Sequence, residues 1–177
     1  PVQVEPDAVV IGIAHHAQLS QRVDHLDAVR THLLIHPVIA EGVGDVHREG
    51  EVVFHGLMIA PGKPTILGKA GKKIIIGLPG NPVSMAVVMR FFVLPLINKL
   101  KGKTQWKPFP VTKVELTEQV SSKPGREEFI RVFVDKTIPN PKAKIIRGHS
   151  GSIASLSRAN GYIHIPLEKE GLGKGTI

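Results

Sequence analysis

The sequence predicts an α/β domain followed by a small all-β barrel domain, and three features of its 177 residues carry that reading. Lys73–Leu78 is a short apolar, β-branched run of the kind buried on both faces of a sheet, and Pro79-Gly80-Asn81-Pro82 turns it into a long apolar segment. The stretch Lys101–Pro108 is charged, contains Gly and Pro and lacks periodicity, which marks a domain boundary. Short strand-like runs follow, separated by Lys123-Pro124-Gly125 and Pro139-Asn140-Pro141, the pattern of a small barrel or sandwich.

In residues 1–50, Asp7–Ala14 reads as a strand and Gln18–Leu34 as an amphipathic helix ended by Pro37, the start of a βα unit. On such a helix His32 and His36 lie one turn apart, which is metal-ligand spacing, and His15-His16 are close in sequence. No Glu follows His32 as a zinc-protease pattern requires, so packed or solvated histidines are the plainer reading and no metal ligand is assigned. This segment holds six of the nine His and none of the fifteen Lys, so it reads either as part of the α/β domain or as sequence foreign to it.

Residues 51–103 read as the second part of the α/β domain. Glu51–His55 is a strand continuing through Gly56–Ala60 toward Pro61-Gly62-Lys63-Pro64, where two prolines bracket Gly-Lys in a stiff extended turn. Held this way, the Lys63 ammonium suits a phosphate or another oxyanion, although a solvated lysine fits the same turn. Thr65–Gly68 is a further strand, and Lys69–Lys72 is a hairpin connection. Asn81 is a good N-cap, and Pro82 suits the first helical position, where a missing N–H costs nothing. A strand, a Gly/Pro turn and a helix N-terminus make a half-built anion site, though an ordinary strand-to-helix connection has the same form. A positive φ at Gly80 would make its replacement by Val at least as harmful as Pro82→Gly. The helix beyond has few polar residues and should be largely buried, with a bend at Pro95.

Residues 108–177 change grammar. Val111–Leu116, Glu128–Val134, Lys144–Arg147 and Tyr162–Pro166 are runs of strand type. Along Glu128–Val134, Ile130, Val132 and Val134 share one face and Phe129, Arg131 and Phe133 the other, which sets Arg131 between two phenylalanines for an anion contact.

The hydrophobic share of 42% with 21% charged is that of a globular protein. Without cysteine there is no disulfide, thiolate metal site or Cys nucleophile, and a reducing, cytoplasmic location is expected. No signal peptide is recognisable, and Arg90 and Pro95 interrupt the longest apolar run, against a membrane span. Net charge is +8, divided as −4 over residues 1–50 and +12 over residues 51–177, so the basic part should prefer anionic partners.

Four segments in order resemble the molybdopterin molybdenumtransferases, the MoeA and gephyrin E-domain family. They are Pro61-Gly62-Lys63-Pro64-Thr65, Gly77–Ser84 with its Leu-Pro-Gly-Asn-Pro-Val core, Pro124–Arg131 reading PGREEFIR, and Gly151–Gly161 reading GSIASLSRANG. The resemblance runs from about residue 50 to the end. It implies a partial three-layer, MogA-like molybdopterin-binding domain followed by a C-terminal β-barrel domain. The implied activity is molybdenum cofactor biosynthesis: insertion of molybdate into adenylylated molybdopterin, with Mg²⁺-dependent hydrolysis of the adenylyl group. A homodimer and a molybdopterin adenylyltransferase partner are implied too.

By motif, Lys63 would contact phosphate or molybdate, Pro79, Gly80, Asn81, Pro82 and Ser84 would shape the pocket floor, and Arg126, Arg131 and Ser152 would line the cleft from the barrel side. The sequence departs from the pattern at Ala60, where many relatives carry a cation. It also lacks the Gly-Gly-Val-Ser-Val-Gly segment, of which Glu41-Gly42-Val43-Gly44-Asp45 is a faint echo. The family's two N-terminal domains have no counterpart, the chain stops at Ile177 within an expected last barrel strand, and the sequence reads as a fragment that is inactive alone. Two other classes share features with it: a gephyrin-like, non-catalytic scaffold that grips peptides, and a basic barrel that binds nucleic acid. One Trp and one Tyr give the last no clear stacking platform.

Overall fold

The computed structural model describes residues 32–38, 50–71, 73–103, 110–137 and 139–177. The expected strand at Asp7–Ala14, His15-His16 and the Glu41–Asp45 echo lie outside them. The chain divides into two compact units, one holding the described residues through Lys103 and the other those from Pro110 onward.

In the first unit β1 (His32–Val38), β2 (Glu51–His55), β4 (Ile66–Ala70) and β5 (Lys73–Pro79) form a mixed sheet in the order β1-β5-β4-β2, with β3 (Ile59–Ala60) in the connection between β2 and β4. β1 runs parallel to β5, pairing His32 with Lys73 through Val38 with Pro79. This corrects the helix expected over Gln18–Leu34: its last residues begin a strand, in which Leu33-Leu34-Ile35 are in register with Ile74-Ile75-Ile76 of β5. Tertiary pairing here overrides a local helical pattern. His32 and His36, four residues apart on a strand, are therefore separated by about 13 Å of backbone rather than by one helical turn.

β5 is buried along both faces, as its unbroken apolar run requires. Ile75 clusters with Ile66 on one face, while Ile76 and Leu67 meet Val88, Phe92, Val93 and Leu96 of the following helix on the other. That helix, α1 (Pro82–Leu100), buries Val83, Ser84, Val87, Val88, Phe91, Phe92, Val93 and Leu96. By length and composition it is long and apolar enough to cross a membrane, but its buried stripe is that of a helix packed on a sheet. The irregularity expected at Pro95 takes the form of a π-helical turn over Met89–Val93, in which Leu94 N–H donates to the Met89 carbonyl. Pro95 lacks an N–H and its ring crowds the carbonyl four residues back, so the widened turn sits where the α-helical ladder cannot continue unchanged. Among the described residues this is the sole helical layer on the sheet.

The second unit is a curled sheet in which β6 (Glu115–Leu116), β8 (Glu127–Asp135), β9 (Lys142–Ile145) and β10 (Gly161–Ile165) lie in the order β10-β8-β9-β6, accompanied by β7 (Val120–Ser121) paired with β11 (Gly171–Leu172). Its core is Val114, Leu116, Val120, Val132, Val134, Ala143, Ile163 and Ile165. The even-numbered residues of β8 thus face inward, as the alternation predicts. One detail differs from an all-β reading: a short helix, α2 (Ile153–Arg158), lies between β9 and β10, while β6 pairs with β9 in parallel. After β11 the chain exchanges backbone hydrogen bonds with Leu116, whose N–H donates to the Thr176 carbonyl at 3.0 Å and whose carbonyl accepts from Gly175 N–H at 2.9 Å.

Candidate anion-binding site

Gly56, with φ +96°, ends β2, so the expected continuous strand to Ala60 is broken and the chain folds back. Gly56 N–H donates to the Thr65 carbonyl at 2.8 Å, and the Lys63 carbonyl accepts from Leu57 N–H at 2.9 Å and Thr65 N–H at 2.8 Å. The Thr65 hydroxyl closes the turn by donating to the Gly62 carbonyl at 2.7 Å. Gly62 is buried with φ +132°, and the place a Cβ would take is filled by Ile59 Cδ1 and Val88 Cγ2. The Pro61–Pro64 turn is thus seated on α1 through Gly62, and Lys63 is left exposed on a backbone that cannot drift. It is a compact hydrogen-bonded loop rather than an extended turn.

At the end of β5, Pro79 is buried, Gly80 and Asn81 are exposed, Pro82 is half-buried and Ser84 is buried in the first turn of α1. Asn81 holds the N-cap position with extended backbone, and its carbonyl accepts from Met85 N–H at 2.9 Å. Its side chain makes no capping bond, contrary to the usual role of Asn there, and no acidic residue occupies the first turn. The positive end of a 19-residue helix is therefore not neutralised by its own sequence. Gly80 does not have positive φ, and a Cβ on it would meet nothing within 4 Å. The expected severity of a substitution there is corrected: the turn needs no glycine for its backbone.

In the second unit the motif residues separate. Arg131 lies within β8, whereas Arg126 sits in the bend just before its first residue, Glu127. Arg126 donates through Nε to Glu128 Oε1 at 2.9 Å and also through Nη2, forming a fork on one carboxylate oxygen. Its charge is balanced by that carboxylate. Arg131 is 8% exposed, and Nη2 donates to the Gly148 carbonyl at 2.6 Å. Its Nε and Nη1 are buried with no hydrogen-bond partner. Burial lowers the guanidinium pKa, an effect partly offset by Tyr162, which lies directly opposite across the β8–β10 pair. Of the two phenylalanines flanking Arg131 along the strand, Phe129 is buried with its ring centroid 5.0 Å from that of His164, and Phe133 is 47% exposed. Ser152 caps α2 by accepting from Ser155 N–H at 3.3 Å, at the end of the Gly148–Ser152 loop that Arg131 anchors.

The same face of β8 carries a pair that sequence reading missed. His164 Nε2 and Glu127 Oε2 lie 2.7 Å apart with the His side chain 8% exposed. Residues 37 positions apart are joined by the antiparallel register, and no local pattern announces that. Among the described residues no cluster of three or more His, Cys, Asp or Glu could hold a metal ion. Several carboxylates are already engaged: Glu127 by His164, Glu128 by Arg126, Glu118 by Arg147 and Asp135 by Thr137.

Residues 34–99 match the family described as a probable molybdopterin binding domain, and residues 113–177 match the MoeA C-terminal region, domain IV. The first match begins in β1, earlier than the motifs alone indicated. The molybdopterin molybdenumtransferase of Haemophilus influenzae is 41% identical over 88 residues, 50% of this chain and 22% of that protein. The Synechococcus elongatus molybdopterin molybdenumtransferase is 28% identical over 156 residues, 81% of this chain and 36% of that protein. The crystal structure of a molybdopterin biosynthesis moea protein from Pyrococcus horikosii superposes with a TM-score of 0.65 and 30% identity, over 81% of this chain and 35% of that one. The chain therefore spans between about a fifth and little more than a third of the length of these relatives. With both family regions matched in order and their fold shared with a solved structure, the chain belongs to the MoeA family, of which it carries the molybdopterin-binding and C-terminal regions.

Proposed function

We propose that the whole protein of which this chain forms the matched part is a cytoplasmic molybdopterin molybdotransferase, which inserts molybdate into adenylylated molybdopterin and hydrolyses the adenylyl group. The observation that carries this reading is the pairing of a backbone-locked, exposed lysine with a helix start that lacks any acidic residue, both in the family region named for molybdopterin binding. Lys63 contacts a phosphate or molybdate oxygen, and Pro79, Gly80, Asn81, Pro82 and Ser84 shape the floor beside the helix dipole. By family motif Arg126, Arg131 and Ser152 are anion-binding residues of the barrel unit; with Arg126 balanced by Glu128, Arg131 is the one whose donors remain unused. A homodimer and a molybdopterin adenylyltransferase that hands over the adenylylated substrate complete the proposal. Mg²⁺ is the expected cofactor, and among the described residues no cluster of three or more His, Cys, Asp or Glu side chains could hold it.

Replacing Lys63 by Ala in the whole protein tests the reading. Affinity for molybdate or for a pterin phosphate, measured by calorimetry, is expected to fall at least about tenfold, the loss of about 1.4 kcal/mol typical of one well-placed charged contact. Stability should move by less than about 0.5 kcal/mol, because the side chain is exposed and the turn is held by its backbone. Unchanged affinity in a folded variant would remove Lys63 from the site and, with it, the basis of the proposal. A scaffold that grips peptides through the same fold would also show unchanged molybdate affinity.

A further inference from the structure

A helix of six residues is not stable alone in water, so α2 owes its place to what holds it. Apolar burial holds it only weakly. Ser155 is the one residue of α2 that is fully buried, Leu156 is half-buried and Ile153 is 65% exposed. Polar bonds tie its two ends to β8 instead. Before the helix, the Gly148 carbonyl accepts from Arg131 Nη2 at 2.6 Å. After it, Asn160 N–H donates to the Val132 carbonyl at 3.1 Å, and the Asn160 side chain adds two bonds to Val134: Nδ2 donates to its carbonyl at 2.9 Å, and Oδ1 accepts from its N–H at 2.7 Å. The β8–β10 pairing begins with Gly161 opposite Val132, so the backbone of Val134 lies beyond the reach of β10. A side-chain amide carries one donor edge and one acceptor in a plane, as a peptide does, and the Asn160 amide stands where the next strand residue would. The two ties, at Arg131 and Val134, are about 10 Å apart along the strand. Ser152 lies between them and moves with α2, because its Oγ accepts from Ser155 N–H at 3.3 Å and its carbonyl accepts from Ser155 Oγ at 2.6 Å. We propose that Asn160 is a positioning residue, which fixes α2 on β8 by imitating a strand and through α2 sets where Ser152 stands.

The inference rests on the proposed function for the part Ser152 plays, and on the hydrogen bonds for the tie itself. Asn160 is exposed, so water can take the place of its amide on Val134, and losing the amide should disturb placement more than stability. Held at one end only, α2 can swing about Gly148. A shift of about an ångström at Ser152 is enough to weaken any hydrogen bond that its hydroxyl makes to a ligand. Asn160→Asp keeps an acceptor for Val134 N–H but sets an oxygen against the Val134 carbonyl, so it breaks half of the imitation.

The whole protein and its variants Asn160→Ala, Ser152→Ala and the two combined are titrated with molybdate by calorimetry, and amide hydrogen exchange is followed at Val134 and Ser155. Ser152→Ala is expected to bind molybdate about fivefold more weakly, the effect of one neutral hydrogen bond. Asn160→Ala should also bind about fivefold more weakly, with a melting temperature lowered by no more than a few degrees. The double variant should bind no more than about twofold more weakly than either single one, because both changes act at one hydroxyl; a general loosening of the barrel would give effects that add. Exchange at Val134 and Ser155 should quicken at least about tenfold in Asn160→Ala. Asn160→Asp is expected to behave as Asn160→Ala does, and keeps the test open if the Ala variant fails to fold. A folded Asn160 variant that binds molybdate as wild type does, additive losses in the double variant, or unchanged exchange at Ser155 overturns the inference. Ser152→Ala with wild-type affinity overturns it too, since no group is left to be positioned, and leaves the proposed function standing if Lys63→Ala binds weakly. Coupled losses at Asn160 and Ser152 with Lys63→Ala unaffected do the reverse.

Discussion

Gly62→Ala is expected to cost about 3 kcal/mol and to lower the melting temperature of the α/β unit by roughly 10 °C or more, the sum of backbone strain and overpacking at one position. The backbone angle of +132° disfavours any L side chain, and the new Cβ would fall 2.6 Å from Ile59 Cδ1 and 2.9 Å from Val88 Cγ2. Neither neighbour can yield easily. Ile59 is 4% exposed, and Val88 is fully buried in α1, where a β-branched side chain has essentially one rotamer. The turn must therefore lift from the helix, carrying Lys63 with it and weakening the Thr65 hydroxyl bond to the Gly62 carbonyl. Stability and anion affinity should fall together, in contrast to Lys63→Ala, which lowers affinity alone. Gly80→Ala, with open space around its Cβ and an ordinary backbone, is the matched control and should change the melting temperature by no more than a few degrees. Thermal unfolding of the three variants side by side checks the order.

A comparable loss is expected from Gly171→Ala in the barrel. Gly171 has φ +145°, and a Cβ there would sit 2.1 Å from the Val120 carbonyl oxygen and 3.0 Å from Ser121 Cα. Both are backbone atoms of the strand it pairs with, so no rotamer change relieves the clash. β7 and β11 must separate, and with them the bonds that follow in the chain: Ser122 N–H to the Glu170 carbonyl and the exchange between Leu116 and Gly175-Thr176. Since Leu116 and Val120 are core residues, opening that edge admits water to the barrel interior. The cost should reach about 3 kcal/mol or more. Amide hydrogen exchange at Leu116 and Ser122 should rise in the variant, and protection equal to wild type would contradict the assignment.

Local chemistry made much of this legible. The Lys73–Pro79 strand, the Pro82 helix start, the irregularity near Pro95 and the inward face of β8 each follow from residue type and spacing, and the structure has them. What sequence could not show depends on contacts between distant residues. His32–Val38 is a strand because β5 pairs with it, and its own sequence did not separate strand from helix. Gly62, rather than Gly80, is the glycine the site requires, since only packing reveals which Cβ would collide. Arg126 and Arg131 look alike in the motif, yet one is neutralised by a carboxylate two residues on and the other is buried with unused donors. Asn81 has the right identity for a cap and does not use it.

If the exposed Lys63 turn and the start of α1 handle an oxyanion in a molybdenum-inserting enzyme, the whole protein supplied with Mg²⁺ and varied molybdate releases AMP from adenylylated molybdopterin only when molybdate is present. That release falls at least about tenfold in Lys63→Ala at unchanged melting temperature, one charged contact's worth of transition-state or substrate stabilisation. Release that ignores molybdate, or a folded Lys63→Ala protein as fast as wild type, would contradict it.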